Sequence, residues 1–288
     1  MSGSRVKFVA EVSSNHNQDL NRCLKFIDIA SEIGCDAVKF QLFKVDQLFA
    51  PEILRESRKH RERKKWELPL EYIPILSNRA KEKAIEFSCT PFYIEAVNEL
   101  LPYVDFYKIA SYELLWHDLI SACAQTDKPL VLSTGMSVID EVFSAVSCFN
   151  KSGGKNLTLL HCVSRYPAQV DECNLVAIEQ MRNLFSCNVG WSDHSVQTSV
   201  VNRAVHRWGA SMIEFHLDIE GRGVEFNSGH CWLPQKIATL IEEVRYAEKA
   251  DGDITQHPVK SEIAERVWRA DPSDGLRPLL SQRSSFHV

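Results

Sequence analysis

Two lysines, Lys39 in DAVKFQ and Lys108 in DFYKIAS, stand inside otherwise apolar runs. A lone lysine in such a run is more often a surface residue, because an unpaired ammonium is costly to bury. Strand alternation turns both inward, and the hydroxyls of Thr90, Ser111, Ser133 and Ser192 lie at the ends of comparable runs. Two ammoniums with four hydroxyls make a cradle for a phosphate and a carboxylate. His194 and His216 close two further runs, VGWSDHS and IEFH. Either alone would ordinarily be a hydrogen-bonded structural histidine; together with Glu11 and Glu214 they read as an incomplete shell for one divalent cation. Imidazole suits manganese, iron, cobalt or zinc better than magnesium, and open positions would allow Lewis-acid polarisation of a carbonyl. A lysine whose pKa is depressed by a neighbouring cation could instead form a Schiff base. A pyruvate-dependent aldolase using Lys39 or Lys108, with no metal, is therefore the competing chemistry. His161 and Cys162 are adjacent in LHC, and neighbours in a strand face opposite sides, so they form no nucleophile and base pair.

The elements that would position these groups alternate along the chain. Short apolar or β-branched runs are predicted as strands at Lys7–Val12, Ala37–Gln41, Glu86–Cys89, Phe106–Ile109, Leu130–Ser133, Leu157–His161, Asn188–Gly190 and Met212–His216. Amphipathic segments predict helices at Leu20–Ile33, Glu71–Ile85, Ile94–Leu101, His117–Gln125, Val138–Asn150, Leu175–Leu184, Gln197–Trp208 and Pro234–Lys249. Eight unbroken strand–helix pairs predict an α/β fold of the (β/α)8 TIM-barrel type, with the catalytic groups at the C-terminal strand ends. A doubly wound dinucleotide fold is disfavoured, because EVSSNHN and not GxGxxG follows the first strand.

The 288 residues suffice for one large domain, expected over residues 1–250, with a tail over 251–288 packed on the barrel or on a neighbouring subunit. A net charge of -5 argues against a general nucleic-acid or membrane-surface binder, and no apolar run approaches a membrane span. Nine cysteines without a CxxC pair read as reduced thiols, and the N-terminus lacks a signal-peptide pattern, so a cytoplasmic location is expected. Residues 42–69 form a long excursion with seven Arg or Lys between Arg55 and Lys65, read as a solvated charged face or as a lid over an anionic ligand.

The blocks AEVSSNHNQDL, DAVKFQLF, CTPF, YKIASYE, LSTGM, LHCVSRYPA, VGWSDHS and IEFH occur in an order and spacing that resemble the sialic acid (N-acylneuraminate) synthase family, over roughly residues 6–250. The resemblance implies a barrel that condenses phosphoenolpyruvate with an N-acyl-mannosamine or related amino sugar, giving a sialic-type nonulosonic acid and phosphate. It implies that Lys39, Thr90, Lys108, Ser111, Ser133 and Ser192 hold phosphoenolpyruvate and that His194 and His216 bind the metal. Manganese is the expected ion, with magnesium or cobalt as alternatives. It further places Glu11, Gln41 and Tyr166 around metal and sugar, with Phe92 as the aromatic of the TPF block. Glu11, Lys39, Lys108 and His216 are the expected catalytic groups.

The chain also departs from the family pattern. Ser164 replaces the family's Asn, Tyr112 replaces a glycine, and LDIEGRGVEFNSGHCWLP replaces a PGPD segment, with Glu225 as the substitute for its sugar-binding acid. Typical members carry an antifreeze-like C-terminal domain that reaches across a dimer, and this chain ends at Val288 without one. A homodimer, and a separate polypeptide supplying the cap, are the expectations that follow. A non-catalytic sugar-acid-binding barrel awaiting such a cap is the further alternative.

Overall fold

The computed structural model describes residues 5–252 and 256–285. Eight parallel strands run in chain order around a closed barrel: β1 (Lys7–Glu11), β2 (Ala37–Leu42), β3 (Glu86–Pro91), β4 (Phe106–Ile109), β5 (Leu130–Ser133), β6 (Leu157–Cys162), β7 (Asn188–Asp193) and β8 (Met212–Leu217), with β8 paired to β1. The fold is the expected (β/α)8 barrel. Helices lie between the strands at Leu20–Glu32, Ile73–Glu82, Ile94–Leu100, His117–Ala124, Ile139–Lys151, Ala177–Phe185 and Thr198–His206, and Pro234–Glu248 follows the last strand. Several strands run further toward the mouth than their apolar runs indicate; β7 reaches Asp193 and β3 reaches Pro91. Backbone pairing continues there because ladder hydrogen bonds do not depend on side-chain polarity.

The barrel interior is built in two levels with the period of two that a strand imposes. Val9, Ala37, Phe106, Val131, Leu160 and Met212 form an apolar plug. Two residues further along the same strands stand Glu11, Lys39, Lys108, Ser133, Cys162 and Glu214. The plug therefore seals the floor beneath a polar mouth. β7 contributes Gly190 at the plug level, where a Cβ would lie 2.3 Å from the Met212 carbonyl oxygen and 2.7 Å from Leu160 Cδ2. Only a residue without a side chain lets β7 approach its neighbours there. Outside the barrel, helix residues such as Phe26, Leu76, Ile120, Phe149 and Leu240 are buried in a second, larger core.

Two features were not legible as elements. The excursion after β2 holds short helices at Val45–Leu48, Pro51–Glu56 and Arg58–Arg61 and a 3-10 turn at Glu62–Trp66. A two-residue strand β9 (Cys231–Trp232) adds to β8 in parallel, pairing His216 with Cys231. The chain forms two compact units, Met1–Glu248 and Lys249–Val288. In the second, Asp271 accepts hydrogen bonds from the Leu280 backbone N–H (2.8 Å) and the Ser273 N–H (3.0 Å), and Leu279 N–H donates to the Val267 carbonyl (2.9 Å). All nine cysteines are free, and no helix among the described residues is long and apolar enough to cross a membrane.

Candidate active site

The upper level of the barrel opens into a cavity of about 760 Å³. Strand register sets its groups side by side: Glu11 on β1 is level with Lys39 on β2 and with His216 on β8, and Glu214 on β8 is level with Ser192 on β7. Lys39 and Lys108 are 2 and 3% exposed, so each needs a counter-charge. Lys39 Nζ pairs directly with Glu11 Oε2 and lies 4.0 Å from Glu214 Oε2; Lys108 Nζ lies 3.2 Å from Glu214 Oε1. Burial pulls the Lys39 ammonium down to about 7, with Glu214 opposing and Lys108 adding to the effect. Burial alone would raise the Glu214 carboxyl, but Lys108 and Lys39 outweigh it and hold Glu214 well below the usual carboxylate range.

Around the lysines lie hydroxyls with spare capacity. The Ser133 hydroxyl is buried without a partner, Ser192 Oγ donates to Glu214 Oε1 (3.2 Å), and Ser111 Oγ accepts from the Gly135 N–H (3.0 Å). Gly135 is needed at that position, since a Cβ would come within 2.3 Å of Ser164 Oγ and 2.8 Å of Ser111 Oγ. An orphaned hydroxyl beside two ammoniums is the donor set an anionic ligand requires.

The other side of the cavity is a histidine cluster. His194 Nδ1 contacts the Val163 carbonyl at 2.8 Å and donates to it, which leaves Nε2 as the lone-pair nitrogen. The His194 and His216 ring centroids are 5.4 Å apart, with the Tyr166 ring tilted 39° against His194 at 4.2 Å. Burial lowers His194 to about 3, the His216 charge adding to the effect, so His194 is neutral and able to ligate near pH 7. β9 brings His230 to 4.7 Å from His216, centroid to centroid, and Glu225 Oε2 lies 3.5 Å from His216 Nδ1. His216 Nδ1, Glu225 Oε2 and His230 Nδ1 are all buried without a hydrogen-bond partner. His216, Glu225, His230 and Cys231 each offer a ligand atom, all within 4.8 Å of one another. Two imidazoles, a carboxylate and a thiol this close, with His216 Nδ1, Glu225 Oε2 and His230 Nδ1 unpartnered, fit a borderline divalent cation.

Of the residues singled out in the sequence, Glu11, Lys39, Gln41, Phe92, Lys108, Ser111, Ser133, Tyr166, Ser192, His194, Glu214, His216 and Glu225 line this one cavity. Thr90 and Ser164 do not. Thr90 is fully buried and accepts from Lys39 Nζ (3.2 Å), and Ser164 Oγ sits 3.9 Å from Cys162 Sγ. Gln41 Nε2 donates to Glu11 Oε1 at 2.9 Å, and Glu225 is gripped by the N–H (2.9 Å) and the hydroxyl of Ser14.

Comparison with known proteins supplies the family. The profile of the NeuB family matches residues 26–256. The chain belongs to the NeuB family. Among its relatives, it is 34% identical over 273 residues to the N,N'-diacetyllegionaminic acid synthase of Campylobacter jejuni, covering 90% of this chain and 81% of that protein. It is 34% identical over 222 residues to the pseudaminic acid synthase of Helicobacter pylori, covering 73% of this chain and 65% of that protein. The crystal structure of an N-acetylneuraminic acid synthetase from Leptospira borgpetersenii, in complex with citrate, superposes with a TM-score of 0.80 at 31% identity, covering 91% of this chain and 90% of that one.

Among the cavity residues that sequence reasoning about this NeuB-family chain did not single out are His230, His60, Arg63 and Trp66. His230 follows Gly229 in GHCWLP, where the Cys–Trp pair that becomes β9 was the available signal. His60, Arg63 and Trp66 reach the cavity from the basic excursion, and nothing in their types separates them from its solvated residues. Glu113, at the end of the short turn after β4, also lines the cavity. Its Oε2 is buried without a partner, and burial pushes its carboxyl up to about 7 against the pull of Lys108.

Proposed function

We propose that this chain condenses phosphoenolpyruvate with an N-acyl-mannosamine-like amino-sugar aldehyde, releasing a nonulosonic acid and inorganic phosphate, with a divalent cation bound in the histidine cluster. The observation that supports it most is one cavity with buried lysines and an orphaned serine hydroxyl on one side and unpartnered histidine nitrogens on the other. Membership of a family whose relatives are named as synthases of such acids supports it further.

In this reading Lys39, Lys108, Ser111, Ser133 and Ser192 bind the phosphate and carboxylate, and Thr90 holds Lys39 in place from behind. His194 and His216 are the proposed cation ligands, their rings 5.4 Å apart, and Glu225, His230 and Cys231 offer further ligand atoms on the His216 side. A divalent cation held there, manganese being the expected ion with magnesium or cobalt as alternatives, would supply Lewis-acid polarisation of the sugar aldehyde. C3 of phosphoenolpyruvate forms the new bond to the aldehyde carbon, water adds at C2, and the C2–O bond to phosphate breaks. Glu11, freed from part of its pairing with Lys39 when the anion arrives, orients the water that adds at C2 and takes its proton, which offsets the proton gained by the former aldehyde oxygen. Tyr166, Phe92 and Gln41 wall the sugar side.

Phosphate release from phosphoenolpyruvate, measured with manganese and a panel of N-acyl-mannosamines and diamino sugars, tests this directly. Sugar-dependent release that disappears in His216→Ala is expected; no release with any acceptor sinks the proposal. The depressed Lys39 ammonium favours one second reading, a Schiff-base aldolase acting on pyruvate. Borohydride trapping of a pyruvate adduct at Lys39 would establish that reading instead. A homodimer in the cytoplasm completes the proposal, and sedimentation checks the oligomeric state.

A further inference from the structure

Of the seven basic side chains between Arg55 and Lys65, Arg55, Arg58, Lys59, Arg61, Lys64 and Lys65 are exposed, and Arg63 alone is half-buried. Arg63 lines the same cavity as the strand-end lysines. Its guanidinium lies over the Phe49 ring at 5.2 Å and the Trp66 ring at 5.6 Å. Two aromatic faces hold the planar cation by cation–π attraction and strip water from its stem. The surrounding backbone is fixed: Gln18 Nε2 donates to the Glu67 carbonyl (2.9 Å), Glu67 Oε1 accepts from Val45 N–H (2.7 Å), and Tyr72 donates to the Gln18 carbonyl (3.0 Å). Beside it, His60 is tethered to Ser57 Oγ at 2.6 Å and packs edge-on against Phe49 at 4.8 Å.

Arg63 differs from the other cations of the cavity in having no counter-ion. Lys39 and Lys108 are neutralised by Glu11 and Glu214, whereas no carboxylate pairs with Arg63 among the described residues and its Nε is buried without a hydrogen-bond partner. A guanidinium whose Nε is shut off from water without an acceptor is costly to hold there unless a ligand supplies one. The lysines already serve one anionic substrate. We propose that Arg63 is the receptor for a second anion, a phosphate ester or carboxylate carried by the acceptor sugar away from its aldehyde. The substrate class would then be an acidic amino sugar. This inference rests on the condensation reading for its placement of the acceptor.

Two measurements separate the inference from that reading. The first compares phosphate release with an N-acyl-mannosamine, the same sugar phosphorylated on its terminal hydroxyl, and the corresponding uronate, in wild type, Arg63→Gln and Lys59→Gln. Wild type is expected to prefer an anionic sugar in kcat/KM. Arg63→Gln should shrink that preference about 10- to 100-fold through the KM for the sugar, the range set by a hydrogen bond to a charged group. Lys59→Gln, on the exposed face, should leave it unchanged. Whether the phosphate or the uronate shows the larger loss identifies the anion. The second measurement is calorimetric binding of the reduced sugar phosphate, which lacks the aldehyde and cannot react. Binding weakened at least tenfold in Arg63→Gln upholds the anion site even if no sugar supports turnover, which would overturn only the condensation reading. Equal binding in wild type and variant, or a wild type that prefers the neutral sugar, overturns the inference.

Discussion

The buried, unpartnered carboxyl of Glu113 gives the cavity a measurable signature in the pH dependence of stability. Glu113 caps the mouth just after β4, and burial raises its pKa from the ordinary 4.5 to about 7. Below pH 4.5 the group is protonated in folded and unfolded chains alike. As pH rises through 4.5 toward 7 the unfolded chain releases this proton while the folded chain retains it, so the folded state binds more protons and loses stability. A gap of 2.5 pH units at about 1.36 kcal/mol each gives about 3 kcal/mol, complete above pH 7. Glu113→Gln preserves the shape without the titration. Urea unfolding of both proteins at pH 4.5, 6, 7 and 8 should show the variant gaining on wild type by about 3 kcal/mol across the series, other titrating groups cancelling in the difference. A difference that stays flat with pH would show that the carboxyl is solvated or paired, and the account of its burial would fall.

Three further perturbations probe other parts of the barrel. Gly190→Ala forces a methyl against the Met212 carbonyl inside the plug and should cost about 1–3 kcal/mol in urea unfolding; unchanged stability would contradict the close approach of β7. Asp193 accepts from the Trp191 and Trp232 indoles (3.0 and 2.9 Å) and from Ser195 Oγ (2.6 Å), so Asp193→Ala should cost about 3 kcal/mol or more and shift the tryptophan fluorescence, an unchanged spectrum counting against the network. Replacing Glu214 by Gln leaves Lys108 without its carboxylate and should cost about 3–5 kcal/mol, whereas adding Lys108→Met to that variant should recover stability; additive losses in the cycle would mean the pair is not coupled.

The strand ends were legible because one rule generates them. Once Ala37 and Phe106 are taken as inward plug residues, Lys39 and Lys108 must also point inward two positions on, and the same step yields Glu11 from Val9, Ser133 from Val131 and Glu214 from Met212. Loops have no such period. His230 reaches His216 because β9 adds to β8 and because Asn15 Nδ2, 202 positions away in sequence, ties the Leu217 carbonyl to the loop after β1 at 3.1 Å. Arg63 is chemically identical to its exposed neighbours, and only the long-range bonds from Gln18 and Tyr72 decide which guanidinium turns inward. Glu225 came into view through the family pattern alone, because a glutamate in a four-residue helix carries no signal of the Ser14 grip that places it.

The charges of the cavity explain how a barrel mouth can be stable when empty and still receive anions. Two bare lysines at 2 and 3% exposure would repel each other and pay a large desolvation penalty. Glu11 and Glu214 cancel both, so the strand-end quartet is neutral and adds no net charge to the core. An arriving phosphate must then compete with carboxylates for the ammoniums, which favours ligands carrying two anionic groups over one, since each lysine is drawn from its partner only by a comparable charge. The unpaired Arg63 guanidinium faces no such competition. On the proposed condensation reading the rigid strands hold a guarded site for the more highly charged substrate, and the excursion after β2 an open one at which a change of loop sequence would alter acceptor choice without disturbing the quartet.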